Sequence, residues 1–148
     1  MYEKAAELSR LIMMITSKQK KVINHLIRDM GYDFEFAHFK LLLTISHYPG
    51  EVYAKNLAEF EDKSKSTINV LLKKMEKLEL IEMVPKLEDK RHKIIKITAQ
   101  GSEIYQLLAT KIEQEIFPII VQDISLAEQE ETQQTLLKMM ANLDQLLK

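Results

Sequence analysis

Five lysines stand in the segment EDKSKSTINVLLKKMEKLELI, residues 61–81, of a 148-residue chain whose formal net charge is −1. Residues 63–96 hold ten basic and five acidic residues, a net charge of +5, so the rest of the chain carries −6. A basic block inside an acidic chain indicates a polyanionic partner when its cations share one exposed face. The alternative is a lysine-rich surface that contacts only water, and the placement of the lysines distinguishes the two.

The segment predicts an amphipathic helix that begins at Lys65, with Ser64 as its N-cap. On a wheel of 100° per residue, one side is apolar and must be buried: Ile68, Leu71, Leu72 and Met75. The other side has short polar residues in its first turns and lysines further along. A helix entering the major groove of DNA needs this order, because its first turns meet base edges while long cations reach flanking phosphates. The predicted DNA contacts on this helix are Lys65, Ser66, Thr67, Asn69, Val70, Lys73, Lys74 and Lys77.

The next segment, LIEMVPKLEDKRHKIIKIT, predicts a β-hairpin, because apolar stretches at residues 80–84 and 94–98 flank a polar tip. A cationic tip directly after a candidate recognition helix predicts a wing that places a basic side chain in the adjacent minor groove. We expect Lys90 and Arg91 to contact DNA and Asp89 to organise the tip. The alternative for Arg91 is an ordinary exposed ion pair with Asp89, which adds little stability.

Three helices are predicted before the recognition helix, from their helical spacing of apolar residues: a long one that Gly31 ends, one over about residues 34–47 and a short one over about 54–60. Residues 51–53 could add a third strand beside the hairpin. The sequence therefore predicts a mostly α fold, a winged helix-turn-helix with a small β-hairpin wing and long N- and C-terminal helices.

After the hairpin, an apolar stripe runs from Ala99 to about Phe117, and Pro118 interrupts it. Ser125 and Glu128 predict a capping box at the start of the last helix. These terminal stripes offer more apolar surface than a winged-helix lobe of some sixty residues can cover, so we expect a dimer.

The chain resembles the MarR family of bacterial transcriptional regulators from about Phe36 to Gly101. The resemblance rests on the helix-turn-helix segment LAEFEDKSKSTINVLLKKMEKLELI, on an Asp-x-Arg signature at Asp89 and Arg91, and on a closure of Thr98 and Gly101 behind the wing. It implies a homodimer that represses transcription from a pseudo-palindromic operator in double-stranded DNA. It also implies release of the DNA when a small lipophilic or phenolic effector binds.

The resemblance divides the chain into a helical dimerisation region, residues 1–33 and 99–148, and a DNA-binding lobe, residues 34–98. The chain departs from the family pattern at Glu79, where glycine is usual, and at Val70, where an arginine or another polar contact is frequent. The turn before the recognition helix, EDK, also lacks the usual apolar and glycine residues. We therefore expect strain or a different turn at Glu79, and an unusual operator affinity or sequence preference.

In the family, effectors bind between the dimerisation helices and the DNA-binding lobe. The candidate pocket residues of this chain are Met13, Met14, His25, Met30, Tyr32 and His38. Methionine suits an adaptable apolar pocket, although methionines at helical spacing equally fit an ordinary core. A metal-responsive regulator is an alternative, because His25 and Asp29 lie one helical turn apart, but no dense ligand cluster accompanies them and no metal or other cofactor is predicted.

Composition limits the other classes of protein. The chain has no cysteine, which excludes disulfides, thiolate metal sites and cysteine nucleophiles. It has no phosphate-binding glycine loop, nucleophile elbow or His-Glu metal motif, so we expect no enzyme activity. It also lacks a signal peptide and an apolar run of about 20 residues, which predicts a cytoplasmic protein without a membrane partner. A winged helix that binds another protein remains a further alternative.

Overall fold

The computed structural model describes all residues, Met1–Lys148. Its helices are α1 (Glu3–Asp29), α2 (Phe36–His47), α3 (Ala54–Phe60), α4 (Lys65–Lys77), α5 (Ala99–Lys111), α6 (Phe117–Ile120) and α7 (Leu126–Asp144), and its strands are β1 (Ile81–Pro85) and β2 (Lys93–Ile97). The mostly α fold with one small hairpin is confirmed. The chain forms two compact units, Met1–Ala109 and Thr110–Lys148.

The first unit has one apolar core to which its helices and its hairpin all contribute. Its fully buried side chains are Ile27, Leu41, Leu42, Leu57, Ile68, Leu72, Met75, Leu80, Ile81 and Leu108. Helix α1 ends at the predicted glycine, since Gly31 adopts a φ of 85° and the Tyr32 N–H donates to the Ile27 carbonyl at 3.2 Å. The start of α2 is held by α1, because the Phe36 N–H donates to Asn24 Oδ1 at 2.7 Å.

The turn between α3 and α4 is built on a buried carboxylate. The Glu61 side chain is only 2% exposed, and it accepts from Lys40 Nζ at 2.9 Å and from Thr44 Oγ1 at 3.0 Å. The next residue, Asp62, takes a positive φ of 50°. A charged turn is tolerated here because α2 supplies both partners of the buried charge.

Helix α4 ends in a left-handed turn at a residue that is not glycine. Glu79 has a φ of 61°, its N–H donates to the Glu76 carbonyl at 3.0 Å, and the Leu80 N–H donates to the Met75 carbonyl at 2.9 Å. These two bonds form a Schellman motif, in which glycine is the usual left-handed residue. The strain expected at Glu79 from the sequence is therefore present.

Replacing Glu79 with glycine should raise the free energy of unfolding by about 0.5–1 kcal/mol, because relief of the left-handed strain exceeds the extra chain entropy of glycine. Urea unfolding measures the change. Glu79→Gln is the matched control, since it removes the charge but keeps the Cβ. An equal gain in both variants would assign the effect to charge and contradict the backbone explanation.

Strands β1 and β2 pair antiparallel, with Ile81 opposite Ile97 and Pro85 opposite Lys93. The predicted third strand is reduced to one bridge, in which the Ile95 N–H donates to the Val52 carbonyl at 2.8 Å. This bridge attaches the middle of β2 to the loop before α3. Pro85 lies at the last position of β1, and its missing N–H leaves the next hairpin bond intact, since the Lys86 N–H donates to the His92 carbonyl at 2.9 Å.

The second unit contains the end of α5 and helices α6 and α7. Between α5 and α6 the helix widens into a π-helical turn, Ile112–Ile116, because the ring of Pro118 crowds the carbonyl four residues earlier and supplies no N–H. The predicted capping box is present: the Ser125 N–H donates to Glu128 Oε2 at 2.8 Å and the Glu128 N–H donates to Ser125 Oγ at 3.2 Å. The bond from the Ser125 N–H lowers the pKa of the Glu128 carboxyl.

Candidate nucleic-acid interface

The predicted recognition helix, α4, buries most of the apolar face that the sequence indicated, leaves Leu71 half-buried and exposes the opposite face. Ile68, Leu72 and Met75 are buried, whereas the outward side chains are exposed: Lys65, Ser66, Thr67, Asn69, Val70, Lys73 and Lys77. Ser64 caps the helix as expected, because its Oγ accepts from the Thr67 N–H at 3.1 Å and donates to Thr67 Oγ1 at 2.8 Å. Asn69 makes no side-chain hydrogen bond within the protein, so its amide is free for a partner.

Lys74 differs from the other lysines of α4. Its Nζ lies 3.7 Å from Asp33 Oδ1 in the loop after α1, and its side chain is less than half exposed. It therefore lies on the side of α4 that faces this loop, and part of its charge is already balanced.

A cleft of about 510 Å³ lies between α4 and the hairpin. Its lining includes cations and one histidine, and no carboxylate lines it. The cations are Lys55, Lys65, Lys73, Arg91 and Lys93. Lys55 and Lys93 were not among the predicted contacts. Lys93 belongs to the same charge run as Lys90 and Arg91, so the sequence held a signal for it, whereas only the packing of α3 against α4 places Lys55 here.

The hairpin tip is organised by Asp89. Its Oδ1 accepts from the Arg91 N–H at 3.1 Å and from Arg91 Nε at 3.2 Å, and these bonds lower the pKa of the Asp89 carboxyl. The Arg91 side chain is nevertheless 88% exposed. Arg91 thus pairs with Asp89 and faces solvent at the same time, so the two roles considered for it are compatible. Lys90 is exposed and forms no ion pair.

The two residues that flank the hairpin tip, Lys86 and His92, contact the loop before α3 in ways that the sequence did not indicate. Lys86 Nζ lies 5.5 Å from the centre of the Tyr53 ring and 4.0 Å from Glu51 Oε2, and the Tyr53 hydroxyl is the main cause of the raised pKa of Lys86. The His92 ring meets Tyr53 edge-on, with 6.4 Å between centroids. Together with the Val52 bridge, these contacts set the position of the tip beside α4.

The six candidate pocket residues do not share one cavity. Met13 lines a cleft of about 530 Å³ between α1, α2 and α4, and Tyr32 lines a separate cleft of about 200 Å³ beside Lys74. The others are dispersed along α1 and the start of α2: Met14 and His25 are exposed, Met30 is half-buried and His38 is buried. No group of three or more histidine, aspartate and glutamate side chains is arranged to hold a metal ion, and none of the helices has the length and apolarity to cross a membrane.

His38 has a structural role at the start of α2. It is 5% exposed, and its Nδ1 accepts from the Glu35 N–H at 3.0 Å, so this nitrogen must be unprotonated. Burial lowers the pKa of His38, and the nearby Lys74 ammonium lowers it further, against smaller opposing effects of Glu35 and Asp33. The folded protein therefore favours the neutral imidazole.

We predict that stability falls on mild acidification because of His38. In the unfolded chain the imidazole has a pKa near 6.5, above its folded value, so the unfolded state binds the proton first and stability is lost as pH drops through about 6.5. His38→Gln should reduce this loss, since glutamine at the same position can keep the capping bond without titrating. Unfolding free energies at pH 7.5 and 5.5 test this, with exposed His25→Gln as control. An unchanged pH dependence in His38→Gln would contradict it.

The part of the chain that carries the cations of the cleft is similar to known proteins. The model of the MarR family matches residues 36–93, which run from the start of α2 through the hairpin tip to the start of β2. No match was found among curated protein sequences.

Solved structures share the fold along most of the chain. A mutant of MarR from E. coli complexed with operator DNA has a TM-score of 0.78 at 20% identity, covering 94% of this chain and 97% of that one. The S. aureus MepR–DNA complex has a TM-score of 0.77 at 23% identity, covering 92% and 97%. The transcriptional regulator SlyA has a TM-score of 0.78 at 20% identity, covering 93% and 94%. The MarR family model thus matches the segment from α2 through the hairpin tip, and the fold of most of the chain is shared with the solved MarR structures.

Proposed function

We propose that the protein is a DNA-binding transcriptional regulator that binds a pseudo-palindromic operator as a homodimer and represses transcription. The observation that carries the proposal is the cleft between α4 and the hairpin, whose lining contains five cations and no carboxylate. Five cations on one face, beside an exposed helix with short polar residues in its first turns, match the phosphates and base edges of duplex DNA. The MarR and MepR structures named above contain DNA, which supports the same partner here.

Dimerisation is proposed from exposed apolar stripes on both terminal helices. On α1 the stripe comprises Leu8, Leu11, Ile15 and Val22, and on α7 it comprises Leu136, Met140 and Leu143, with Leu147 just beyond the end of the helix. Contiguous exposed stripes of this kind are typical of surfaces covered by a second chain. A two-fold dimer would set two copies of α4 about 34–36 Å apart, one turn of DNA. Sedimentation should give twice the chain mass, and a monomer at micromolar concentration would contradict the proposal.

Selection from a random duplex library tests the DNA-binding proposal. We expect the enriched sequences to contain inverted half-sites with centres 10–10.5 base pairs apart. Binding should weaken steeply with salt, because each phosphate contact contributes about 0.9 to the slope of log K against log salt. Recovery of no enriched inverted repeat would contradict specific regulation. Retention of a protein partner after loss of the lysines would instead favour the protein-binding alternative.

Regulation by a small lipophilic or phenolic effector is proposed at the cleft between α1, α2 and α4. Its floor is apolar and includes Ile68 and Leu71 of α4, and Lys20 and Lys63 are among its charged lining residues. An occupant would therefore touch the inner side of the proposed recognition helix.

Thr16 lines this cleft from α1 and is exposed, so Thr16→Phe should partly fill the space. We expect this variant to bind DNA normally and to lose the response to compounds that release the parent protein from DNA. His25→Phe, also on α1, is the control, since His25 does not line the cleft. An unchanged response in Thr16→Phe would exclude this cleft as the effector site.

A further inference from the structure

Val70 is an apolar exception on the outward face of α4. Its side chain is 69% exposed, and it lies near the centre of that face, one turn from Ser66 and beside Lys73 on the wheel. A β-branched residue loses side-chain freedom in a helix and gains nothing from packing when it is exposed. Neither helix formation nor the core of the protein therefore accounts for a valine at this position.

The surroundings of Val70 indicate what it would meet. It lines the cleft between α4 and the hairpin together with Asn69, Lys65, Lys73 and Arg91, which are the groups proposed to hold DNA. Val70 lies in the second turn of α4, and the first turns of a recognition helix are the part that reaches base edges. Its methyl groups would therefore face the floor of the major groove and not a phosphate.

The largest apolar group on that floor is the C5-methyl of thymine. A valine over any other base edge would cover hydrogen-bonding atoms without satisfying them, which costs free energy. We propose that Val70 is a specificity-determining residue that selects a thymine in each operator half-site by contact with its C5-methyl group. This inference rests on the proposed DNA-binding function and adds the base class that the site prefers.

The test replaces each thymine of a selected duplex in turn with deoxyuridine, which lacks only that methyl group. At one position in each half-site the affinity of the parent protein should fall about three- to fivefold, the effect of one buried methyl group. Val70→Ala should bind the thymine duplex more weakly and show little or no further loss with deoxyuridine at that position. Fluorescence anisotropy at fixed salt measures all four combinations.

Lys73→Ala is the matched control on the same face. It should weaken binding to thymine and deoxyuridine duplexes alike, so the uracil penalty stays as in the parent. The inference is overturned if specific duplexes are bound but no thymine is sensitive to loss of its methyl group, or if Val70→Ala retains the full penalty. If no duplex is selected at all, the proposed function is contradicted and the inference about Val70 fails with it. This outcome differs from the failure of the inference alone, in which specific duplexes are still bound.

Discussion

Replacing Gly101 with alanine should lower the free energy of unfolding by about 3 kcal/mol, the upper end of typical overpacking penalties. A Cβ at Gly101 would stand 2.0 Å from the Leu80 carbonyl oxygen and 2.9 Å from the carbonyl carbon. Both neighbours are backbone atoms of the segment that joins α4 to β1, so they cannot move aside as a flexible side chain would. Urea unfolding of the two proteins measures the loss.

The direction of the change tests the close contact with Leu80, because replacing glycine with alanine inside an unobstructed helix stabilises the protein by roughly 0.5–1 kcal/mol. Gln100→Ala, at an exposed position in the same turn of α5, is the control and should change stability little. Thr98 also holds Gly101 close to the segment after α4. Its Oγ1 donates to the Glu79 carbonyl at 2.6 Å and accepts from the Gly101 N–H at 2.9 Å. A stabilised Gly101→Ala protein would contradict the close approach of α5 to Leu80.

Removing Lys73 and Arg91 together should weaken binding to the selected operator roughly 900-fold at 0.15 M salt, if each contacts one phosphate in both protomers of the proposed dimer. The slope of log K against log salt should become shallower by about 3.6, since the dimer loses four phosphate contacts. Arg91→Ala alone should also blunt any preference for flanks with a narrow, A·T-rich minor groove, which Lys73→Ala should leave intact. Fluorescence anisotropy across a salt series measures both quantities.

The control for this double variant is Arg10→Ala with Lys18→Ala, which removes the same charge from exposed positions on α1. It separates local contact from net charge, because both proteins lose two positive charges. Equal loss of affinity in the two double variants would contradict a binding face on α4 and the hairpin. Unfolding measurements on both proteins establish that neither loss arises from misfolding, a check that matters for Arg91 because it bonds Asp89.

Periodicity determined most of the helical architecture, since an apolar stripe at helical spacing must be buried somewhere. The boundaries of α3 and the start of α4 at Lys65 agree with the structure because local capping defines them, notably the bond from the Thr67 N–H to Ser64. The sequence placed the interruption of the stripe after the hairpin at Pro118, whereas the widened turn begins six residues earlier, at Ile112. A proline acts on the carbonyl of the preceding turn, and wheel patterns do not show how far back the helix adjusts.

The sequence by itself determined that a basic block lies on the solvent side of an amphipathic helix, because charge and helical period are both local properties. Tertiary structure alone decided which cations converge. The packing of α3 places Lys55 in the cleft, whereas Lys74 lies outside it and close to Asp33. Tertiary structure also decided that His38 is buried, which lowers its pKa and favours the neutral imidazole. These outcomes depend on distances between segments far apart in the chain, and such distances are settled only when the core packs.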